Sequence, residues 1–162
     1  MTTLNEKENS IVLMHGTFNR EIFDQLEKRN LQKVFILEGR PSLESSALLS
    51  EELLSRKIQP VLISDNMAGF LFFKNLLKEV WLAYQVADQE GAVCDIGGLI
   101  LGVLGARHQI PINLFPSNCK SKLFGNENDL MTFQNQRVTP QGIRAYVPLV
   151  EWIPAKYITK VF

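Results

Sequence analysis

At 162 residues, 46% of them apolar, the chain has the material for one domain with a real core. Its 17 basic residues balance its 17 acidic ones and are scattered, the densest cluster being the small Lys120, Lys122 pair, so no nucleic-acid partner is expected. The longest apolar run, Ile96 to Ala106, is too short to span a bilayer and rich in glycine, so no membrane partner is expected.

Residues 1–10, MTTLNEKENS, form a polar stretch expected to be a flexible lead-in and unlike an export signal. IVLMH (11–15) has strand length. Asn19 is then placed to cap a helix in which Ile22, Phe23 and Leu26 share one face. KVFILE (33–38) is a second buried-type strand. A helix is expected from Ser42 through LESSALLSEELLSRK, with Leu43, Ala47, Leu48 and Leu54 inward and Glu51 and Glu52 outward. PVLIS (60–64) is a third strand, and DNM leads into a helix ending near Leu77.

VWLAYQVA (80–87) is a fourth strand, followed by a small-residue loop and a Gly-rich helix to about His108. IPINLFP (110–116) is a fifth. SNCKSKLFGNENDLMTFQNQ lacks periodicity and reads as irregular. RAYVPLVEWIPAKYITKVF closes the chain as a short strand and one helical turn starting at Pro154 or later. Strands alternating with helices, and strands apolar throughout, predict a single α/β domain over 11–162: a parallel sheet with helices on both faces.

Ligands of such folds bind beyond the carboxyl ends of the strands. The residues there form a polar set: His15-Gly16-Thr17, Glu38-Gly39-Arg40, Ser64-Asp65-Asn66, Ala87-Asp88 and Pro116-Ser117. Asp88 is a candidate general acid or base, with a loop-shaping role as its alternative. Gly97 and Gly98 open a helix whose free amides suit an anion, or else serve close packing. Arg40 has the fork that suits phosphate, or a surface ion pair. Asp65 and Asn66 are candidates for sugar hydroxyls, against the stronger expectation of a helix cap. His15 is a hydrogen-bonding or structural histidine.

Cys94, beside Asp95, is a remote candidate nucleophile, and Cys119 has no neighbour arguing for reactivity. With only two cysteines and no export signal, reduced thiols and a cytoplasmic location are expected. No residue set has metal-ligand spacing and no cofactor fingerprint occurs, so neither a metal nor a cofactor is expected.

Several stretches in order resemble one superfamily: IVLMHG (11–16), EGRPSLESSALLSEEL (38–53), PVLISDNMAG (60–69), VAD (86–88), IGGLILGVLGARHQIP (96–111) and RVTPQGIRAYVPLVEWIPAKYIT (137–159). They are similar to the carboxy-terminal domain shared by methylthioribose-1-phosphate isomerase, ribose-1,5-bisphosphate isomerase and the regulatory subunits of translation initiation factor 2B. The resemblance implies a Rossmann-like domain, usually dimeric, with a phosphorylated sugar or nucleotide at the strand ends. In the isomerases a cysteine and an aspartate convert an aldose phosphate to a ketose phosphate. The aspartate of the family's "G-A-D" maps onto Asp88, and the arginine of "T-R-P" onto Arg40.

Three departures bear on activity. The position of the isomerase cysteine, after a histidine, is Gly16 here. The family's Asn-Lys pair before "I-G-T" is replaced by Cys94-Asp95, and an aspartate repels phosphate. The family's glutamine after "R-P" is Glu44. The matched stretch does not include the family's amino-terminal helical domain, so an open, wetter site is expected. Three functions follow as expectations: a non-catalytic or regulatory domain that binds a sugar phosphate or nucleotide; an active aldose-ketose isomerase with altered residues; and an interaction subunit resembling initiation factor 2B. A homodimer is expected through the carboxy-terminal aromatics Tyr146, Trp152, Tyr157 and Phe162, if these are exposed.

Overall fold

The computed structural model describes residues 11–29, 31, 33–117 and 119–162; the expected lead-in at 1–10 lies outside them. Six strands run parallel: β1 (Val12–His15), β2 (Lys33–Leu37), β3 (Gln59–Ile63), β4 (Glu79–Ala87), β6 (Ile112–Pro116) and β10 (Lys160–Val161). Their spatial order is β10-β6-β4-β1-β2-β3. The chain therefore builds outward in both directions from the β1–β4 pair. That reversal leaves a crevice at the carboxyl ends, where such sheets hold ligands.

Alternate residues of each central strand feed two separate cores, as a pleated strand requires. Val12, Met14, Val34 and Ile36 meet α1 (Glu21–Lys28) and α2 (Glu44–Ser55) through Phe23, Leu26, Leu49 and Leu53. Leu13, Phe35, Leu37, Val80 and Leu82 form the other core with Leu71 and Phe72 of α3 (Ala68–Phe73) and Leu101 of α4 (Gly98–His108). Continuous apolar strands are thus explained by burial on both faces.

The structure corrects several expectations. The loop after the fourth strand is instead a hairpin: β5 (Gly91–Asp95) runs back antiparallel to the end of β4 and pairs on its other side with β9 (Val150–Pro154). The sheet is therefore mixed, not purely parallel. The irregular segment holds a short helix, α5 (Glu127–Met131), and a small hairpin of β7 (Thr132–Phe133) and β8 (Gln136–Arg137). The closing turn, Ala155–Tyr157, starts where expected.

Asn19 does not cap α1; Arg20 holds the cap position without a side-chain bond. Ile22, Phe23 and Leu26 are buried together as the spacing predicts. In α2 the inward face is Ser45, Ser46, Leu49 and Leu53, while Leu43, Leu48 and Leu54 are exposed. The helix begins at Glu44, with Leu43 turned outward at φ +61°. Its first turn lies so close to the β2 loop that a Cβ on Gly39 would meet Ser45 Oγ at 2.8 Å. Small serines fit that gap and leucines do not.

At the amino edge of the sheet, Glu79 is the hub of a half-covered network. It pairs with Arg29 and accepts from Trp81 Nε1 at 2.7 Å and Asn113 Nδ2 at 2.8 Å. Burial pushes its pKa up, but the bonds from Arg29 and Trp81, the Arg29 charge and Asn113 outweigh it and hold the carboxyl below its ordinary value. A depressed pKa gives stability that is present above the unfolded value, about 4.3, and lost as pH falls through the folded value. Glu79→Ala is expected to cost about 3 kcal/mol in urea unfolding at pH 7, with the gap to wild type closing in acid. An unchanged midpoint at pH 7 contradicts this role.

Candidate functional site

A cleft of about 670 Å³ opens beyond the carboxyl ends of β1 and β2. Its walls are His15 and Thr17 after β1, Gly39 and Arg40 after β2, and Glu44, Ser45 and Leu48 of α2. Asp95 and Ile96 at the end of β5 and the segment from Cys119 to Asn126 close the far side.

His15 is only 4% exposed. Its Nε2 lies 2.8 Å from the Ile96 carbonyl, which can only accept, so Nε2 carries the proton. Nδ1 is left as an acceptor with no partner among the described residues. The next residue, Gly16, has φ +103°, and a Cβ there would stand 2.8 Å from that of Ala83 on β4. Both the dihedral and the contact reject a side chain at this position.

Arg40 enters the cleft wall from a loop held by Asp65. The two carboxylate oxygens of Asp65 accept from the amides of Gly39 at 2.8 Å and Arg40 at 2.9 Å. Asp65 thus neither caps the helical turn that follows it nor faces the cleft. Asn66 accepts from Ser64 Oγ and also lies outside the cleft. The Arg40 guanidinium donates to the carbonyls of Asp129 and Thr132, both at 3.2 Å, lies 3.9 Å from Glu38 and covers the Phe133 ring. It ties the α5 segment to the sheet.

The start of α4 carries its own anion. Gly97, at φ +103°, donates its amide to Glu151 Oε1 at 2.7 Å, and Leu99 donates to the same oxygen at 3.0 Å. Free amides and the positive end of the helix dipole favour an anion there, and β9 supplies one. Gly98 is buried against Ile153 and Cys94. Neither glycine lines the cleft.

Asp88 lies at the turn of the β4–β5 hairpin. Its Oδ1 accepts from the amides of Glu90 at 2.7 Å and Gly91 at 3.1 Å, so it shapes the turn and does not line the cleft. The parallel part of β4 ends at Tyr84, and the residue beyond that end is Gln85. Gln85 Nε2 donates to Asp95 Oδ1 at 3.3 Å, and its Oε1 accepts from the Ser121 amide at 3.0 Å. Ser121 Oγ completes the triangle, donating to Asp95 Oδ1 at 3.1 Å.

Cys94 is 1% exposed, and burial first, then the charges of Asp95 and Glu151, push its thiol up to about 12. A thiol so placed is no nucleophile at neutral pH, which removes it as a catalytic candidate. Cys119 is the exposed thiol and it lines the cleft.

Of the residues singled out in the sequence, the structure brings His15, Arg40, Glu44 and Asp95 into the cleft; Gly16 stands in the chain between His15 and Thr17 and is not itself a lining residue. The reading missed Gln85, Lys120, Ser121 and Lys122. The adjacent Lys-Ser-Lys after the fifth strand end was the one available signal, and the lack of periodicity around it hid its place. Among the described residues no cluster of His, Cys, Asp and Glu could hold a metal ion, and no helix is long and apolar enough to cross a membrane.

Fold and site together define a Rossmann-like α/β domain with a polar cleft at its topological switch. The chain belongs to the Initiation factor 2 subunit family, whose model matches residues 7–162. It is 28% identical to the methylthioribose-1-phosphate isomerase of Carboxydothermus hydrogenoformans, over 95% of this chain and 52% of that protein. It is 32% identical to the enzyme of the same name from Desulforudis audaxviator, over 78% of this chain and 40% of that one. The chain spans about half the length, or less, of these relatives.

Two solved structures share the fold. The translation initiation factor eIF-2B subunit delta of A. fulgidus superposes with a TM-score of 0.83 at 18% identity, covering 95% of this chain and 52% of that one. The 5-methylthioribose 1-phosphate isomerase of Pyrococcus horikoshii OT3 gives 0.80 at 20%, covering 94% and 49%.

The two thiols provide a direct check of the site. A chromogenic disulfide reagent is expected to modify one thiol of the folded protein quickly, at Cys119, and the second only on unfolding. Fast reaction of Cys94 contradicts the geometry.

Proposed function

We propose that this chain is a non-catalytic, ligand-binding domain of the initiation factor 2B and sugar-phosphate isomerase type, and that its cleft holds a phosphorylated sugar or nucleotide. The single observation that carries this reading is Gly16. The resemblance puts the isomerase thiol at that position, and here φ +103° and the 2.8 Å approach to Ala83 leave space for glycine alone. No other thiol replaces it from the β5 side, because Cys94 is buried and held protonated. Asp88, the expected aspartate partner, is engaged in its own hairpin turn.

Binding, unlike proton transfer, needs only shape and complementary groups. The cleft has the volume for a sugar phosphate, and its walls carry Lys120, Lys122, Ser121 and Asp95. A cytoplasmic setting fits the exposed free thiol of Cys119.

We also infer a homodimer. Tyr146 is 77% exposed, Phe162 46% and Trp152 40%, which supports an aromatic interface, while Tyr157 is half-buried against the core and contributes less to it. Light scattering at micromolar concentration is expected to give twice the chain mass of 18.4 kDa; a clean monomer rejects the dimer.

The function itself is tested with methylthioribose-1-phosphate and ribose phosphates. Incubation is expected to yield no ketose product, while a bound ligand at about 100 times its Kd raises stability by about 2.7 kcal/mol in thermal melts. Product formation rejects the non-catalytic reading. Melts unchanged by every phosphate tested reject the binding reading.

A further inference from the structure

Three anion-binding features of the cleft region are already occupied by the protein itself. Glu151 fills the start of α4, Asp65 takes the amides of the β2 loop, and the Arg40 guanidinium is bound to the carbonyls of Asp129 and Thr132. What remains for an anion is the loop beyond β6. Lys120 and Lys122 are exposed there, line the cleft, and have no partner among the described residues.

The β5 side has the opposite character. Asp95 is half-buried and fixed through Oδ1 by Gln85 and Ser121, which leaves Oδ2 without a partner among the described residues. An acceptor left open on one wall calls for a ligand that brings donors, and a carboxylate held in place is the strongest such acceptor. Ser121 links the two walls, because it sits between the lysines and bonds both Gln85 and Asp95.

We infer that the cleft binds its ligand in one direction, with the phosphate on Lys120 and Lys122 and the sugar hydroxyls donating to Asp95. This rests on the binding function proposed above and assigns each end of the ligand to a wall. Asp95 thereby reads the sugar and the lysines read the phosphate. The aspartate that repels a phosphate at the β5 wall is what sets the direction.

The test is titration calorimetry with ribose 5-phosphate, ribose and inorganic phosphate. Asp95→Asn keeps an oxygen for Gln85 and Ser121, removes the charge and turns the open acceptor Oδ2 into an amide donor. It is expected to weaken ribose 5-phosphate about tenfold and leave inorganic phosphate unchanged. A Lys120→Ala, Lys122→Ala double variant, changed only on an exposed loop, is expected to weaken both phosphates about tenfold. Thermal melts confirm that each variant is folded.

Tighter or unchanged binding of ribose 5-phosphate by Asp95→Asn overturns the inference, as does wild-type phosphate affinity in the lysine variant. Either result leaves the binding function standing. A wild-type protein that binds neither phosphate overturns the function and the inference together.

Discussion

The end of β1 is pressed against β4 at Gly16, where the backbone turns through φ +103° within 2.8 Å of the Ala83 side chain for any added Cβ. This glycine adjoins His15, which lines the cleft with Nε2 bonded to the Ile96 carbonyl and so joins β1 to the end of β5. It also denies the site a thiol where the related isomerases are expected to carry theirs. The chemistry at this position is therefore set by one close approach of backbone to side chain.

Charge is arranged around that crevice with the same economy. A helix start, a strand-end loop and an arginine would each attract an anion in isolation. Here Glu151, Asp65 and the carbonyls of Asp129 and Thr132 complete them from within. These contacts also stabilise the structure, since they pair backbone groups that a helix terminus or a tight loop leaves open. The consequence is a cleft with little positive charge on its rigid walls and two lysines on its loop.

Much of the fold was legible. IVLMH, KVFILE and IPINLFP are apolar throughout because helices cover both faces of the sheet. The α2 face was misread because its first turn needs serines, not leucines, beside Gly39. The hairpin was missed because β4 continues past its parallel partners, a tertiary event that no local pattern announces. That same extension misplaced the site: Asp88 ends the apolar run, but Gln85 stands at the edge of the parallel sheet. His15 and Arg40 were found because they stand at strand ends, and Glu44 because the resemblance to the family singled out its position. Asp95 and Ser121 acquire their roles only when the chain brings β5 and the loop after β6 together.

The central claim is that the cleft is a binding site that has no chemistry of its own. Amide spectra of labelled protein during a ribose 5-phosphate titration test it most directly. The account predicts saturable shifts confined to the amides of the cleft walls, Ile96, Ser121 and their neighbours, with the sugar's own signals unchanged over days. Shifts on the α3 and α4 surface without any in the cleft, or the growth of ketose signals, contradict it.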